Sequence, residues 1–482
     1  MNRKMIANTI GRLIILAGAL MLVPLTVSVI YGEWKTMISF LITSAGAAAV
    51  GILVVFLTRR HSREIYAKEG FVIAALSWIV MSAIGALPFV ISGDIPSYVD
   101  AFFETVSGFT TTGASILRDV TSLTHGALFW RSFTHWIGGM GVLVLMMAIV
   151  PDNSGHSIFI MRAEMPGPVV DKIVPKVKNT AKILYLMYIV MTVAEVIFLL
   201  FGGLSPYESL IYSFGTAGTG GFGLRPDSLT GYTPYVQWVI TVFMLLFGVN
   251  FNLYYLLTIR RFKSVFKSEE LRVYFGIAAV SIVLVAINIS GMYASFGETL
   301  RNSAFQVASI MTTTGYSSVD FNLWPTFSKV ILVLLMFVGG CAGSTAGGLK
   351  VTRIILLFKG IKNEIKHMLH PRGVTTMRFE NKPVDKEVKK GVNSYFAIYM
   401  LITAIIFLLL SIEKFDIETN LTATVACLNN IGPGLSMVGP YAGYYDYNIF
   451  SKLILSVAML LGRLEIYPFI LTVASIGHRN RE

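Results

Sequence analysis

The chain has 482 residues, 54% of them hydrophobic and only 14% charged, where soluble domains carry about 25% charged residues. That balance excludes an ordinary soluble enzyme or binding module. The net charge of +12 would suit nucleic acid, but the basic residues rim apolar runs and form no single patch, which excludes that partner.

A membrane span needs about 20 mostly apolar residues. Ten runs reach or approach this length: 5–31, 37–57, 71–91, 129–150, 183–201, 238–259, 273–289, 330–358, 395–412 and 453–473. Arg3 and Lys4 before the first run resemble a signal peptide. Arg12 interrupts it and no small-residue cleavage site ends it, so it reads as a retained helix. Basic clusters lie at Arg59, Arg60, Arg63 and Lys68, at Lys172, Lys176 and Lys178, at Arg260, Arg261, Lys263 and Lys267, along 359–390, and at Arg479 and Arg481. With ten spans and four re-entrant turns, all of them share the N-terminal side, which the positive-inside rule makes cytoplasmic. Cys341 and Cys427 have neither disulfide nor metal spacing.

Four glycine-bearing turns each lie between a modestly apolar segment and a long apolar run. Aligned on Gly113, Gly221, Gly315 and Gly432, they are 108, 94 and 117 residues apart. The segments leading to them open with Asp100, Glu208, Asn302 and Thr419, residues suited to helix N-caps or first turns. About ten helical residues span only some 15 Å, so these helices stop midway through a bilayer. The expected fold is all-α: an N-terminal hairpin and cytoplasmic loop (1–69), then four units of helix, pore half-helix, filter turn and helix around a central pore. The units cover 70–150, 181–262, 271–358 and 391–477. Cytoplasmic linkers fill 151–180 and 359–390, the second with nine Lys/Arg and four Asp/Glu.

Non-helical backbone at membrane depth is tolerated only where it is buried in protein or lines a water-filled path. Glycine permits backbone angles that turn successive carbonyls toward one axis, and such carbonyls replace a cation's water shell. The candidate ligands are Thr111, Thr112 and Gly113; Thr219, Gly220 and Gly221; Thr313, Thr314 and Gly315; and Asn430, Ile431 and Gly432. The turns hold no carboxylate, which disfavours a divalent-ion ring and favours a monovalent cation as bound substrate. No other cofactor is expected in this chain.

The eighth run is interrupted by Gly339, Gly340, Cys341, Ala342, Gly343, Ser344, Thr345, Ala346, Gly347 and Gly348. Glycines weaken a helix by up to about 1 kcal/mol each, so a polar, mobile loop is expected there. Two letter patterns are decoys. Gly343 to Lys350 lacks the Gly-Lys-Ser/Thr of a phosphate loop, and Gly218-x-Gly220-x-x-Gly223 follows no strand. Arg463, inside the last run, is an intramembrane charge and hence a functional candidate. It is expected to face the cavity below the turns and repel cations, while Glu465 makes a structural interhelix bond. Glu104 is expected to brace the first turn, Asn250 and Asn252 to bond between helices, and His135 to sit at an interface.

The four turns and the glycine-rich segment resemble those of the Trk/Ktr/HKT superfamily of potassium transporters, over essentially the whole chain. The N-terminal hairpin is most similar to bacterial Trk membrane subunits. The resemblance implies K⁺ selectivity, since glycine in all four turns goes with potassium and serine in the first with sodium permeation. It implies that the Gly339–Gly348 segment obstructs the inner pore and moves on gating, with Arg463 beside it. It also implies a homodimer in the bacterial cytoplasmic membrane, with a cytosolic ring of nucleotide-binding regulatory subunits docked on the basic linkers. The expected activity is channel-like K⁺ uptake, not enzymatic; the alternative is an H⁺- or Na⁺-coupled symporter.

Overall fold

A computed structural model describes residues 2–59, 67–141, 177–371 and 376–477. The apolar runs become helices, and among the described residues six are long and apolar enough to cross a membrane: Arg3–Ile30, Trp34–Leu57, Glu69–Ser92, Ala181–Phe201, Glu269–Ile289 and Lys386–Leu410. Their outer faces carry large exposed hydrophobic side chains, such as Leu53 and Phe201, the latter 79% exposed. Water would penalise such a surface and lipid would not. The first two spans approach closely because their contact is glycine-lined. A methyl on Gly51 would come within 2.7 Å of the Gly11 carbonyl oxygen.

Four short helices follow the entering spans: Tyr98–Phe109, Pro206–Gly218, Phe296–Met311 and Ile417–Leu428. They hold 12, 13, 16 and 12 residues, so each runs about 18–24 Å and falls short of a bilayer core. Their N-caps are Ser97, Ser205, Ser295 and Asp416. Each accepts a hydrogen bond from the backbone three residues on, at Asp100, Glu208, Glu298 and Thr419. The expected positions therefore fall in the first turn in three of the four. Asn302 is an exception, because the third helix starts earlier.

The leaving spans differ most from expectation. The run 238–259 is two helices, Pro234–Phe247 and Phe251–Thr258, bent by 92° at Gly248–Asn250. The run 330–358 divides into Thr326–Val338 and Val351–Leu369 around the glycine-rich loop, at the interruption expected from its glycines. The run 453–473 divides into Ile449–Arg463 and Tyr467–Gly477, with Glu465 and Ile466 at positive φ between them. The fourth such run, 129–150, begins as His125–Gly139, and from residue 142 it lies outside the described residues, as do most of linker 151–180 and the cluster members Arg60, Arg63, Arg479 and Arg481. Helix Val351–Leu369 runs into the expected linker 359–390. A two-stranded hairpin, Arg378–Phe379 with Lys382–Pro383, follows within it.

Candidate functional site

Each short helix ends in the same way. The residue two before the aligned glycine has a left-handed backbone: Thr111 (φ 56°), Thr219 (53°), Thr313 (56°) and Asn430 (55°). Its N–H bonds to the carbonyl three residues back, and the next N–H reaches five residues back. In the first turn these bonds are Thr111 N to Gly108 O, 3.1 Å, and Thr112 N to Ser107 O, 2.8 Å. The same pair recurs at Thr219–Gly220, Thr313–Thr314 and Asn430–Ile431. This is a Schellman ending, which usually places glycine or asparagine in the left-handed position. A left-handed L-residue costs about 1–2 kcal/mol, and threonine, branched at Cβ, is poorly suited to it. Strain repeated at four equivalent places is held by the surrounding packing, as at functional sites elsewhere.

The aligned glycines are also left-handed, with φ of 79°, 80°, 82° and 94° for Gly113, Gly221, Gly315 and Gly432. Their neighbours are each other. A methyl on Gly113 would lie 2.0 Å from the Gly220 carbonyl oxygen, one on Gly221 2.1 Å from that of Thr314, one on Gly315 2.1 Å from that of Ile431, and one on Gly432 2.7 Å from that of Thr112. The contacts run from first turn to second, third, fourth and back to first. Four backbone bends thus close one ring, with the carbonyls of Thr112, Gly220, Thr314 and Ile431 at its joints. A side chain at any of the four glycines would have to displace such a carbonyl.

The ring is buttressed from behind. Glu104 accepts from Arg131 Nε at 2.7 Å, from Ser115 Oγ at 3.0 Å and from the Ile116 N–H at 2.9 Å. The Arg131 guanidinium stacks 3.8 Å over the Phe222 ring, so the buried pair joins the first and second turns. His135 also joins them: Nε2 accepts from the Phe222 N–H at 3.3 Å, which leaves the proton on Nδ1 to donate to Gly108 O at 2.8 Å. Its expected interfacial place is therefore corrected; it is fully buried. Asn430 donates to Thr112 Oγ1 and to Met459 O, both at 2.9 Å, linking the fourth turn to the first. Arg131 was legible only as a charge inside an apolar run, a signal that names no partner.

Beneath the ring lies the glycine-rich loop. Gly339 and Gly348, both left-handed, cross at its neck, where a methyl on Gly348 would meet Gly339 Cα at 2.7 Å. The loop touches three of the four turns or their spans. Gly347 N–H donates to Thr313 Oγ1 at 2.6 Å, and Gly348 N–H to Asn429 O at 3.2 Å. Cys341 N–H donates to Gly248 O at 2.9 Å, and Phe251 N–H donates to Gly343 O at 3.0 Å, stapling the loop to the bend in the second leaving span. Asn250, expected to bond between helices, instead caps its own helix at Asn252 N. Arg463 reaches the remaining turn. It donates to Thr111 Oγ1 at 3.2 Å, to Thr345 O of the loop at 2.9 Å, and to Gly139 O at 2.8 Å and Gly138 O. Glu465 pairs with Arg353, an interhelix bond as expected. Among the described residues no group of His, Cys, Asp or Glu has metal-holding geometry.

A family model described as TrkH, cation transport protein, matches residues 37–480. The chain belongs to the TrkH family. Members of that family are transporters, so this TrkH-family chain is not an enzyme. It is 37% identical over 478 residues to the Trk system potassium uptake protein TrkH of Salmonella typhimurium, covering 98% of each chain. It is 36% identical to the protein of the same name from Escherichia coli K12, again over 98% of each. The crystal structure of the potassium transporter TrkH from Vibrio parahaemolyticus matches with a TM-score of 0.88 at 32% identity, covering 99% of this chain and 100% of that one. The TrkH-family fold here is therefore that of a multi-pass, all-helical membrane protein with several apolar spans and a broken helix.

Proposed function

We propose that this chain is the membrane subunit of a potassium uptake system, passing K⁺ inward through a channel-like pathway driven by membrane potential. The observation that carries the reading is the head-to-tail ring of Gly113, Gly221, Gly315 and Gly432. Four repeated units, with the N-terminal hairpin outside them, wrap a pore whose narrowest part is this ring. Carbonyl and threonine oxygens of Thr111–Gly113, Thr219–Gly221, Thr313–Gly315 and Asn430–Gly432 stand in for the hydration shell, and the ring's uncharged chemistry holds a monovalent ion without trapping it. The partial negative ends of four short helices, directed at the ring, favour a cation there.

The Gly339–Gly348 loop is the gate. Its bonds to Thr313, Asn429 and the Gly248 bend, with Arg463 bridging Thr111 and Thr345, support a closed position under the ring. The names of the relatives, Trk system potassium uptake proteins, support potassium as substrate. The family resemblance of the filter turns and the placement of the basic clusters lead us to propose further a homodimer in a bacterial inner membrane, N-terminus cytoplasmic, with a cytosolic nucleotide-binding partner docked on the basic linkers.

The test is cation uptake into proteoliposomes containing the purified chain, with K⁺, Rb⁺, Na⁺ and Li⁺ offered in turn. Uptake of K⁺ and Rb⁺ well above Na⁺ and Li⁺, driven by an imposed potential alone, is expected. Equal Na⁺ and K⁺ uptake would refute the selectivity assignment. Uptake that requires an H⁺ or Na⁺ gradient would replace the channel with a symporter.

A further inference from the structure

The glycine-rich loop has an anchor outside the ring and Arg463. Helix Glu269–Ile289, the entering span of the third unit, begins at the N-cap Ser268. The hairpin of the basic linker folds back onto that beginning. Glu380, at its left-handed tip (φ 50°), accepts from Ser268 Oγ at 2.8 Å, Glu269 N at 2.8 Å and Glu270 N at 3.2 Å. A carboxylate satisfies the free N–H groups of a helix start and meets the positive end of its dipole. Lys359 adds a clasp, pairing with Glu269 at 2.5 Å and donating to Arg378 O at 2.7 Å.

The side chain of Glu270 turns inward and is 6% exposed. Its Oε1 accepts from the Ala342 N–H of the loop at 2.7 Å and from the Thr352 hydroxyl at the root of the next helix. A buried carboxylate is costly without such donors, and hydrogen bonds to an ionised acceptor are the strong ones. One carboxylate therefore ties the loop's entry strand to the helix that leaves it. The backbone turn that presents it is the one Glu380 caps.

We infer that Glu270 is a positioning residue that holds the glycine-rich loop in place, and that Glu380 of the cytoplasmic hairpin acts on the loop through Glu270. Lifting the hairpin from the helix start loosens that first turn, withdraws Glu270 and frees Ala342. This gives events at the cytoplasmic face a physical route to the loop, and it rests on the reading of the loop as a gate.

The test uses the two native cysteines of the full chain in proteoliposomes. Cys341 adjoins Ala342 in the loop, Cys427 lies in the fourth short helix, and both are buried. A small membrane-permeant maleimide is added and the labelled peptides are followed by mass spectrometry, with Rb⁺ uptake measured in parallel. Glu270→Ala and Glu380→Ala should each speed labelling of Cys341 by about tenfold, the size of one lost charge-assisted bond, while Cys427 stays unlabelled. Glu270→Gln, which keeps an oxygen for Ala342 N–H, should restore most of the protection. The double alanine variant should label no faster than Glu270→Ala, as coupled sites require. Unchanged Cys341 labelling in Glu270→Ala, or equal exposure of both cysteines, would overturn the inference. Additive effects would overturn the part given to Glu380. Should Glu270→Ala fail to assemble, Thr352→Val removes one donor without changing shape, and no gain in Cys341 labelling there is equally fatal. Faster Cys341 labelling with flat Rb⁺ uptake would uphold the anchor and refute the gate.

Discussion

Replacing Arg463 by glutamine tests the link between the ring and the loop most directly. Its guanidinium joins three bodies: Thr111 of the first turn, Gly138 and Gly139 at the end of the first leaving helix, and Thr345 of the loop. Only the bond to Thr345 O, at 2.9 Å, distinguishes a loop held under the ring from one that has swung away. A hydrogen bond from a charged donor contributes about 1.5–3 kcal/mol net, and each 1.4 kcal/mol is a factor of about ten in an equilibrium. Taking the lower figure, Arg463→Gln should shift the loop toward release about tenfold. Unassisted Rb⁺ uptake into proteoliposomes should rise by a similar factor, provided the closed state dominates at rest. Arg463→Lys separates two causes. Lysine keeps the charge but lacks the planar fork that spans Thr345 and Gly139 together. If the bond restrains flux, lysine behaves like glutamine; if charge alone does, lysine behaves like arginine. Uptake unchanged in both variants would refute the reasoning, leaving Arg463 as a packing residue.

Gly113→Ser should lower the preference for Rb⁺ over Na⁺ in competitive uptake, because its Cβ would sit 2.0 Å from Gly220 O where a carbon–oxygen contact needs about 3.3 Å, so the ring must open; intact discrimination would count against the ring as the selective element. Arg131→Met leaves Glu104 buried and unpaired, which costs about 3–5 kcal/mol, and a large fall in thermal unfolding temperature in detergent is expected, with Glu104→Gln/Arg131→Met recovering much of it. Thr313→Val removes the hydroxyl that accepts from the Gly347 N–H and that the ring also offers to the ion, so maleimide labelling of Cys341 in the loop should rise by several-fold, about the worth of one neutral hydrogen bond, and unchanged labelling would count against this contact as a hold on the loop. Asp416, capping the fourth short helix, has its carboxyl held below the usual range, first by the Thr419 hydroxyl. Its contribution is present above the unfolded value and is lost as pH falls through the lower folded one. Acid titration of unfolding should therefore show less pH sensitivity in Asp416→Asn than in the parent.

The sequence alone was enough to identify a membrane protein and four equivalent turns, because hydropathy and glycine placement are local properties. Gly113, Gly221, Gly315 and Gly432 stand out for the same reason: a left-handed backbone excludes most other residues at that position alone. The short helices were legible from their length and polar starts. Arg463, Glu465 and Glu104 could be suspected, since a charge at membrane depth is costly wherever it sits. Their partners could not be read, because Glu465 meets Arg353 and Glu104 meets Arg131 only after distant segments pack. The breaks at Gly248–Asn250 and Leu464–Ile466 were hidden for a related reason. Apolar runs continue across them, and the backbone groups freed at Gly248 are satisfied by Cys341, from another unit. His135 looked interfacial because its neighbours are aromatic, yet two bonds from different units fix it behind the ring. Closure itself belongs to tertiary structure: each glycine faces a carbonyl of the next unit, and contacts between units leave no mark in the spacing of either one.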